Sequence, residues 1–260
     1  MTDTSQSGIA CQNLSINVPG RRLIEALELD VAGGELLAIL GPNGVGKSLA
    51  LHTLAGVRIP DDGSVSLGGE KLAGLTRQQV ALSVALLPQY TEDVFPATVF
   101  DTVMIGRHPH IGRMRWESET DYDIARKALA EVDLAGFVDR DVLTLSGGER
   151  RRLAVAQVLT QSPEVFLLDE PTNHLDPQHQ LDVLKIFRRL VDGGKTVLAS
   201  LHDVNLAARY ADRCLLLFGD GRWRVGRTED VLDSNELSDL YKTPMETVPW
   251  HDRQLFVATG

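Results

Sequence analysis

The sequence predicts an α/β protein whose core is a mainly parallel sheet covered by helices. Three observations carry this. Short unbroken apolar runs alternate with stretches of helical periodicity, a glycine-rich loop joins one such run to a helix, and the pattern turns helical through the middle of the chain.

Ala10–Val18 (ACQNLSINV) alternates apolar and polar positions as a half-buried strand does, and Leu27–Val31 reads as a second short strand ending at the Gly33-Gly34 turn. Leu36–Leu40 is a continuous apolar run bounded by glycine, which suits a strand buried on both faces. It feeds into the loop that starts at Gly41, and Lys47–Ala55 then reads as a helix closed by Gly56. Gly63–Gly69 is a small strand flanked by turns, and Ser83–Leu87 is another, leading to Pro88-Gln89. From Thr98 to Val158 the apolar spacing is mostly helical, clearest over Glu117–Val132 and Gly147–Leu159, so this stretch reads as an inserted helical subdomain. Strands resume at Val165–Leu168, Thr196–Ser200 and Cys214–Phe218, and helices over Pro177–Val191 and Val204–Tyr210 follow the first two. The tail from Thr228 holds two short helices and ends in a segment to which the sequence assigns no role.

Bulk properties narrow the class. The chain has 260 residues, enough for one large domain or two small ones with a substantial core. A net charge of −10 argues against a broad electrostatic footprint for nucleic acid, and no nucleic-acid partner is expected. Cys11 and Cys214 lie far apart with no ligand-like spacing, so two buried free thiols in a reducing compartment are expected. No run approaches the ~18–20 apolar residues of a membrane-spanning helix. Met1–Gly8 is polar and lacks the basic and apolar regions of a signal peptide, so a cytoplasmic protein is expected.

Chemistry concentrates in a few segments. Gly41-Pro42-Asn43-Gly44-Val45-Gly46-Lys47-Ser48 matches GxxxxGK[ST] between a buried strand and a helix. Such a loop curls so that successive backbone N–H groups face phosphate oxygens at a helix N-terminus, where the dipole favours anions. Lys47 is expected to reach the β- and γ-phosphates of a nucleoside triphosphate, and the Ser48 hydroxyl to ligate Mg²⁺. Val165–Glu170 is an apolar strand ending in two carboxylates. Asp169 is expected to help hold the Mg²⁺ and Glu170 to polarise the attacking water. Ser146 and Glu149 have the spacing of a capping box, which leaves Gly147 and Gly148 unexplained, because glycine in a first turn costs helix propensity. They make sense if another group, most naturally a phosphate, approaches the backbone there. His108 and His110, separated by a proline and lacking acidic or thiol neighbours, read as loop residues rather than a metal pair, and His174 and His179 as surface residues.

Taken in order, the Gly41–Ser48 loop, Gln89, Leu145–Glu149 (LSGGE), Phe166–Glu170 (FLLDE), the Asn173-His-Leu-Asp176 loop and His202 make the chain resemble the ATP-binding cassette (ABC) ATPases over about 220 residues. The resemblance implies a P-loop NTPase with a RecA-like, mainly parallel core, an antiparallel β subdomain and the inserted helical subdomain. It divides a single 1–260 unit into an ATP-binding core at about 1–90 and 160–226, a helical part at about 91–159 and a C-terminal extension at 227–260. It implies two cassettes packed head to tail around two ATP molecules. On that pattern Gly41–Ser48, with Leu49 beside them, and Asp169 bind the nucleotide and its Mg²⁺. Gln89 senses the metal, Glu170 is the catalytic base and His202 contacts the γ-phosphate. Ser146, Gly147 and Gly148 serve the nucleotide of the opposite protomer, and Asp176 lies at the dimer seam. The family's usual adenine-stacking aromatic is missing; Val18 stands in its place, with Arg21 or Arg22 as neighbouring substitutes.

Phe95–Val99, Ile105–His110 and His202–Asp212 further resemble the ATP-binding subunits of iron-siderophore, haem and cobalamin (vitamin B12) importers. That implies an ATPase motor working with separate multi-span membrane permease subunits and an external substrate-binding protein, peripheral at the cytoplasmic face of the inner (cell) membrane. Residues near Val94–Gly112 are the candidate coupling surface. The alternative is a soluble ABC ATPase, such as an iron-sulfur cluster assembly component, which is also a single cassette.

Overall fold

The computed structural model describes residues 8–89, 96–112, 116–251 and 253–259. Strands β1 (Ile9–Val18) and β2 (Arg21–Val31) pair antiparallel. The apolar alternation of β1 slips between Cys11 and Leu14. There Asn13 adopts a left-handed conformation (φ 51°) in a bulge that returns Leu14 and Ile16 to the buried face. A second left-handed residue, Ala26 (φ 49°), interrupts β2. Leu23 and Ile24 are consecutively buried before it, so the strand begins at Arg21 although its periodicity shows only from Leu27.

The chain then enters a second sheet at β3 (Leu36–Leu40), all five residues of which are buried. Helix α1 (Lys47–Leu54) follows the glycine loop, and β4 (Asp62–Leu67) and β5 (Glu70–Lys71) return to complete the first sheet in the order β2-β1-β4-β5. The next elements are α2 (Arg77–Ser83) and β6 (Val84–Leu87), then α3 (Val99–Met104), a 3-10 segment over Ile105–His110, α4 (Glu119–Glu131) and α5 (Gly147–Gln161). From there β7 (Val165–Asp169), α6 (Pro177–Asp192), β8 (Thr196–Ser200), α7 (Val204–Tyr210), β9 (Arg213–Leu217) and β10 (Trp223–Arg227) rebuild the second sheet. Its order is β10-β9-β3-β8-β7-β6, parallel except for the edge strand β10.

The central strands are apolar on both faces because each face carries its own core. Leu36, Ala38 and Leu40 of β3 point into a cluster shared with α3 to α7, and Leu37 and Ile39 point into another with α1 and the first sheet. Helix α1 is thus clamped between two sheets. Each fully buried leucine contributes roughly 1.5–3 kcal/mol. Phe166 on β7 meets Phe187 on α6 edge-on at 5.7 Å, joining sheet to helix.

The helical stretch packs tightly on α5. A Cβ on Gly106 would sit 2.4 Å from the Gln157 carbonyl, so only glycine lets the 3-10 segment approach that helix. Buried Arg107 donates to the Thr160 carbonyl at 2.9 Å and pairs with Asp121 at 2.8 Å. His108 and His110, expected in a loop, lie in this short helix, and a His110 ring nitrogen sits 2.8 Å from the Gln161 carbonyl. The tail forms α8 (Thr228–Val231), α9 (Ser234–Tyr241) and a hairpin of β11 (Met245–Trp250) and β12 (Arg253–Ala258). The Asn205 side chain of α7 holds both the N–H and the carbonyl of Phe256. Both cysteines are free and buried. Among the described residues no helix is long and apolar enough to cross a membrane.

Candidate active site

Strands β3, β6, β7 and β8 run parallel, so Leu40, Leu87, Asp169 and Ser200 end at one edge of the sheet. In open parallel sheets ligands bind at that edge. Four segments whose residues lie far apart in sequence therefore leave the core side by side.

The loop after β3 turns on glycines held at positive φ. Gly41 (φ 150°) passes so near β9 that a Cβ would lie 2.5 Å from the Leu217 carbonyl. Gly46 (φ 108°) starts α1 with no side-chain cap and no acidic residue in the first turn, leaving that turn's N–H groups for an anion. Lys47 is buried, and its ammonium donates to the Gly41 carbonyl at 2.7 Å and the Pro42 carbonyl at 3.1 Å. Burial pushes the Lys47 pKa down, and the Glu170 and Asp169 charges oppose that shift. Val45 and Leu49 direct their side chains into the apolar cluster, so these positions offer a ligand their backbone.

Asp169 ends β7 opposite Ser200 of β8. Its Oδ1 accepts from the Ser200 hydroxyl at 2.7 Å, while Oδ2 is buried and has no hydrogen-bond partner. An orphaned carboxylate oxygen at this edge fits a cation ligand. No group of three or more His, Cys, Asp or Glu side chains is arranged to hold a metal among the described residues.

Glu170 is buried and left-handed (φ 51°), fixed by its N–H, which donates to Ser200 Oγ at 2.8 Å. Three side chains converge on its carboxylate. Gln89 Nε2 donates to Oε2 at 2.7 Å, His202 Nε2 lies 2.6 Å from Oε1, and the Asn173 amide also donates to Oε2. The structure thus brings together Gln89, Asp169, Glu170 and His202, which the sequence places up to 113 residues apart (202 − 89). Asn173 was not among the predicted site residues. Its signal was local: the turn closed by its own N–H on the Glu170 carbonyl at 3.1 Å carries the side chain back to the carboxylate.

The Ser146–Gly148 segment stands apart, and no hydrogen bond or ion pair links it to Gly41–Ser48 among the described residues. The capping box forms in full: Glu149 N–H donates to Ser146 Oγ at 3.3 Å and Ser146 N–H to Glu149 Oε2 at 2.7 Å. The Ser146 N–H, and after it the Ser146 hydroxyl, hold the Glu149 carboxyl below its ordinary pKa. A Cβ on Gly147 would meet nothing within 4 Å, and one on Gly148 would meet the His174 carbonyl at 3.4 Å, an ordinary contact. Asp176 caps α6, with Oδ1 accepting from His179 N–H at 3.0 Å and Oδ2 2.8 Å from His179 Nδ1.

Of the adenine candidates, Val18 packs half-buried on the apolar cluster and Arg22 pairs with Glu25. Arg21 donates to the Gly219 carbonyl at 2.9 Å, and Gly219 itself packs on Val45 of the loop. In the candidate coupling surface Val94 and Phe95 lie outside the described residues, Val99 and Val103 are buried, and Ile105 is exposed. A groove of about 1490 Å³ between α7, α8 and the hairpin holds none of the candidate nucleotide-site residues.

Residues 24–173 match the family described as ABC transporter. The hemin import ATP-binding protein HmuV of Gloeobacter violaceus is 42% identical over 226 residues, which is 84% of this chain and 81% of that protein. The petrobactin import ATP-binding protein FpuD of Bacillus anthracis is 33% identical over 238 residues, 91% of this chain and 87% of that protein. Among solved structures, a metal-chelate type ABC transporter in an inward-facing conformation superposes with a TM-score of 0.84 at 28% identity. The match covers 97% of this chain and 98% of that one, so the likeness includes the tail.

Proposed function

The chain belongs to the ABC transporter family, and we propose that it is the ATP-hydrolysing motor of an importer for iron-siderophore, haem or cobalamin-type cargo. The observation that carries this is the convergence, on one sheet edge, of an uncapped helix start, an orphaned Asp169 oxygen and a carboxylate held by Gln89, Asn173 and His202. The relatives with hemin and petrobactin import in their names support the cargo class.

In this reading Gly41–Ser48 hold the triphosphate of ATP, with Lys47 and the loop N–H groups on its oxygens. Ser48, Gln89 and Asp169 would hold a Mg²⁺, which when bound spreads the charge of the β- and γ-phosphates. Glu170 accepts a proton from the water that attacks the γ-phosphorus, and the bond to the bridging oxygen breaks to release ADP and phosphate. His202 leaves Glu170 to contact the γ-phosphate, so ligand binding and the resting network compete for one imidazole. Ser146, Gly147 and Gly148 complete the site of a second copy, and Asp176 lies at the seam between the two. The pair drives separate multi-span permease subunits through the candidate surface near residues 94–112, from the cytoplasmic face of the inner (cell) membrane, and an external substrate-binding protein delivers the cargo.

Affinity purification of the tagged full chain from detergent-solubilised membranes tests this. A multi-span partner should co-purify, and its addition should raise an otherwise slow ATPase. Recovery of soluble partners alone would overturn the importer reading.

A further inference from the structure

Helix α5 begins with the Ser146 cap, and Arg151 follows roughly 7 Å further along its axis at about 1.5 Å per residue. The Arg151 side chain is buried, and each of its five N–H donors faces a backbone carbonyl. Nε donates to Pro171 at 3.3 Å; Nη1 to Pro88 at 2.6 Å and Gln89 at 3.4 Å; Nη2 to Asp169 at 2.5 Å and Glu170 at 2.7 Å. These carbonyls lie at and just beyond the ends of β6 and β7, where the sheet ladder no longer supplies donors. One guanidinium therefore fixes the backbone under Gln89 and the backbone under Glu170 to one rigid helix. Burial draws the Arg151 pKa down to about 10, against the opposing pull of Asp169 and Glu170. It remains a cation at neutral pH.

We propose that Arg151 is a positioning residue that couples the two ATP sites of a cassette pair, a step that rests on the two-copy reading above. The first turn of α5 serves the nucleotide of the partner, while Arg151 on the same helix holds Gln89 and Glu170 of its own site. A shift of α5 on contact with one nucleotide is thereby delivered to the catalytic backbone at the other, and that backbone in turn holds the first turn of α5 in place against the partner's nucleotide. A guanidinium suits this task because its five donors form a planar fork that grips two strand ends at once. Lysine offers three donors at one point, and glutamine two.

The test uses mixed dimers of differently tagged full chains. One protomer carries Glu170→Gln, so only the site built on the wild-type protomer's Glu170 turns over; that site borrows its Ser146–Gly148 from the variant protomer. Arg151→Lys is then added to the variant protomer, leaving every catalytic residue of the working site intact. Turnover at that site should fall about 10-fold, because the Ser146–Gly148 turn it borrows loses its fastening to the variant protomer's strand ends, with the ATP dissociation constant within about twofold. Unchanged turnover overturns the coupling, because a brace confined to its own site does not act across the dimer. Arg151→Gln is the second variant if the lysine form does not fold, judged by thermal melting, and the same readout applies. If the wild-type chain forms no ATP-dependent dimer at all, the two-copy reading fails, and the coupling falls with it.

Discussion

Glu170→Gln separates the chemistry of this site from its architecture. The carboxylate accepts from Gln89 and Asn173 on Oε2 and lies 2.6 Å from His202 Nε2 on Oε1. A glutamine amide oxygen in the Oε2 position keeps the first two bonds. Its NH₂ in the Oε1 position donates to His202 once that ring adopts the tautomer with the proton on Nδ1. The network is then preserved, and folding stability should change by less than about 1 kcal/mol. The amide, however, cannot take a proton from water. Loss of a general base lowers the rate by about 10²–10⁴-fold, or roughly 3–5 kcal/mol in the barrier. Single-turnover ATP hydrolysis with Mg²⁺ should show that loss, while equilibrium binding of ATP stays within about threefold and gel filtration with ATP shows an accumulated dimer. Hydrolysis within threefold of wild type would refute the role assigned to Glu170, and loss of ATP binding would move that role from catalysis to ground-state binding.

Asp121→Asn keeps a single acceptor oxygen, enough for the α4 capping box but not also for buried Arg107, whose ion pair is lost; it should cost about 2–3 kcal/mol in urea unfolding at neutral pH. The Ser118 hydroxyl and N–H, then Arg107, hold the Asp121 pKa at about 2 against an ordinary 3.8, so this stability is whole above the ordinary value and fades as pH falls toward 2. A wild-type to variant gap that stays constant between pH 6 and pH 3 would contradict it. Burial raises the Cys11 thiol to about 12 and the Cys214 thiol to about 11, so neither should react with iodoacetamide at pH 8 until urea unfolds the chain; rapid native labelling would disprove their inertness. Gly147→Ala should leave the melting temperature unchanged or higher, since the added methyl meets nothing, yet lower ATPase activity; equal activity would remove the case for an approaching ligand.

The strand–loop–helix around Gly41–Ser48 was legible in the sequence because its context is local: a buried run, glycines at fixed offsets and a helix all lie within residues 36–54. The Ser146 cap and the Asp169-Glu170 strand end were legible for the same reason. Edges and bulges were not. The first half of β2 escaped because Ala26 breaks its alternation, α2 because it buries none of its residues, and β10 and the hairpin because few of their residues are buried. Arg151 was hidden for a different cause. It sits in a run of three arginines that reads as a solvated face, and its acceptors lie 18 to 63 residues away, so only the folded sheet reveals them.

That contrast bears on the two glycines the sequence could not explain. Helix propensity alone disfavours Gly147 and Gly148 by up to about 1 kcal/mol each, less at a helix start than in its interior. The capping box is satisfied without them. Among the described residues nothing compensates, because Gly147 faces open space and Gly148 makes only ordinary contact with His174 and Leu175. Compare Gly41 and Gly106, where a neighbouring carbonyl of the same chain forbids a Cβ and the glycine is explained from within. A glycine pair with no cause among the described residues, in the first turn of a helix, points outward. The same helix points inward through Arg151. On the proposed two-copy reading, one end of α5 serves the partner's nucleotide, and its next turn is fastened to the strand ends that carry Gln89 and Glu170.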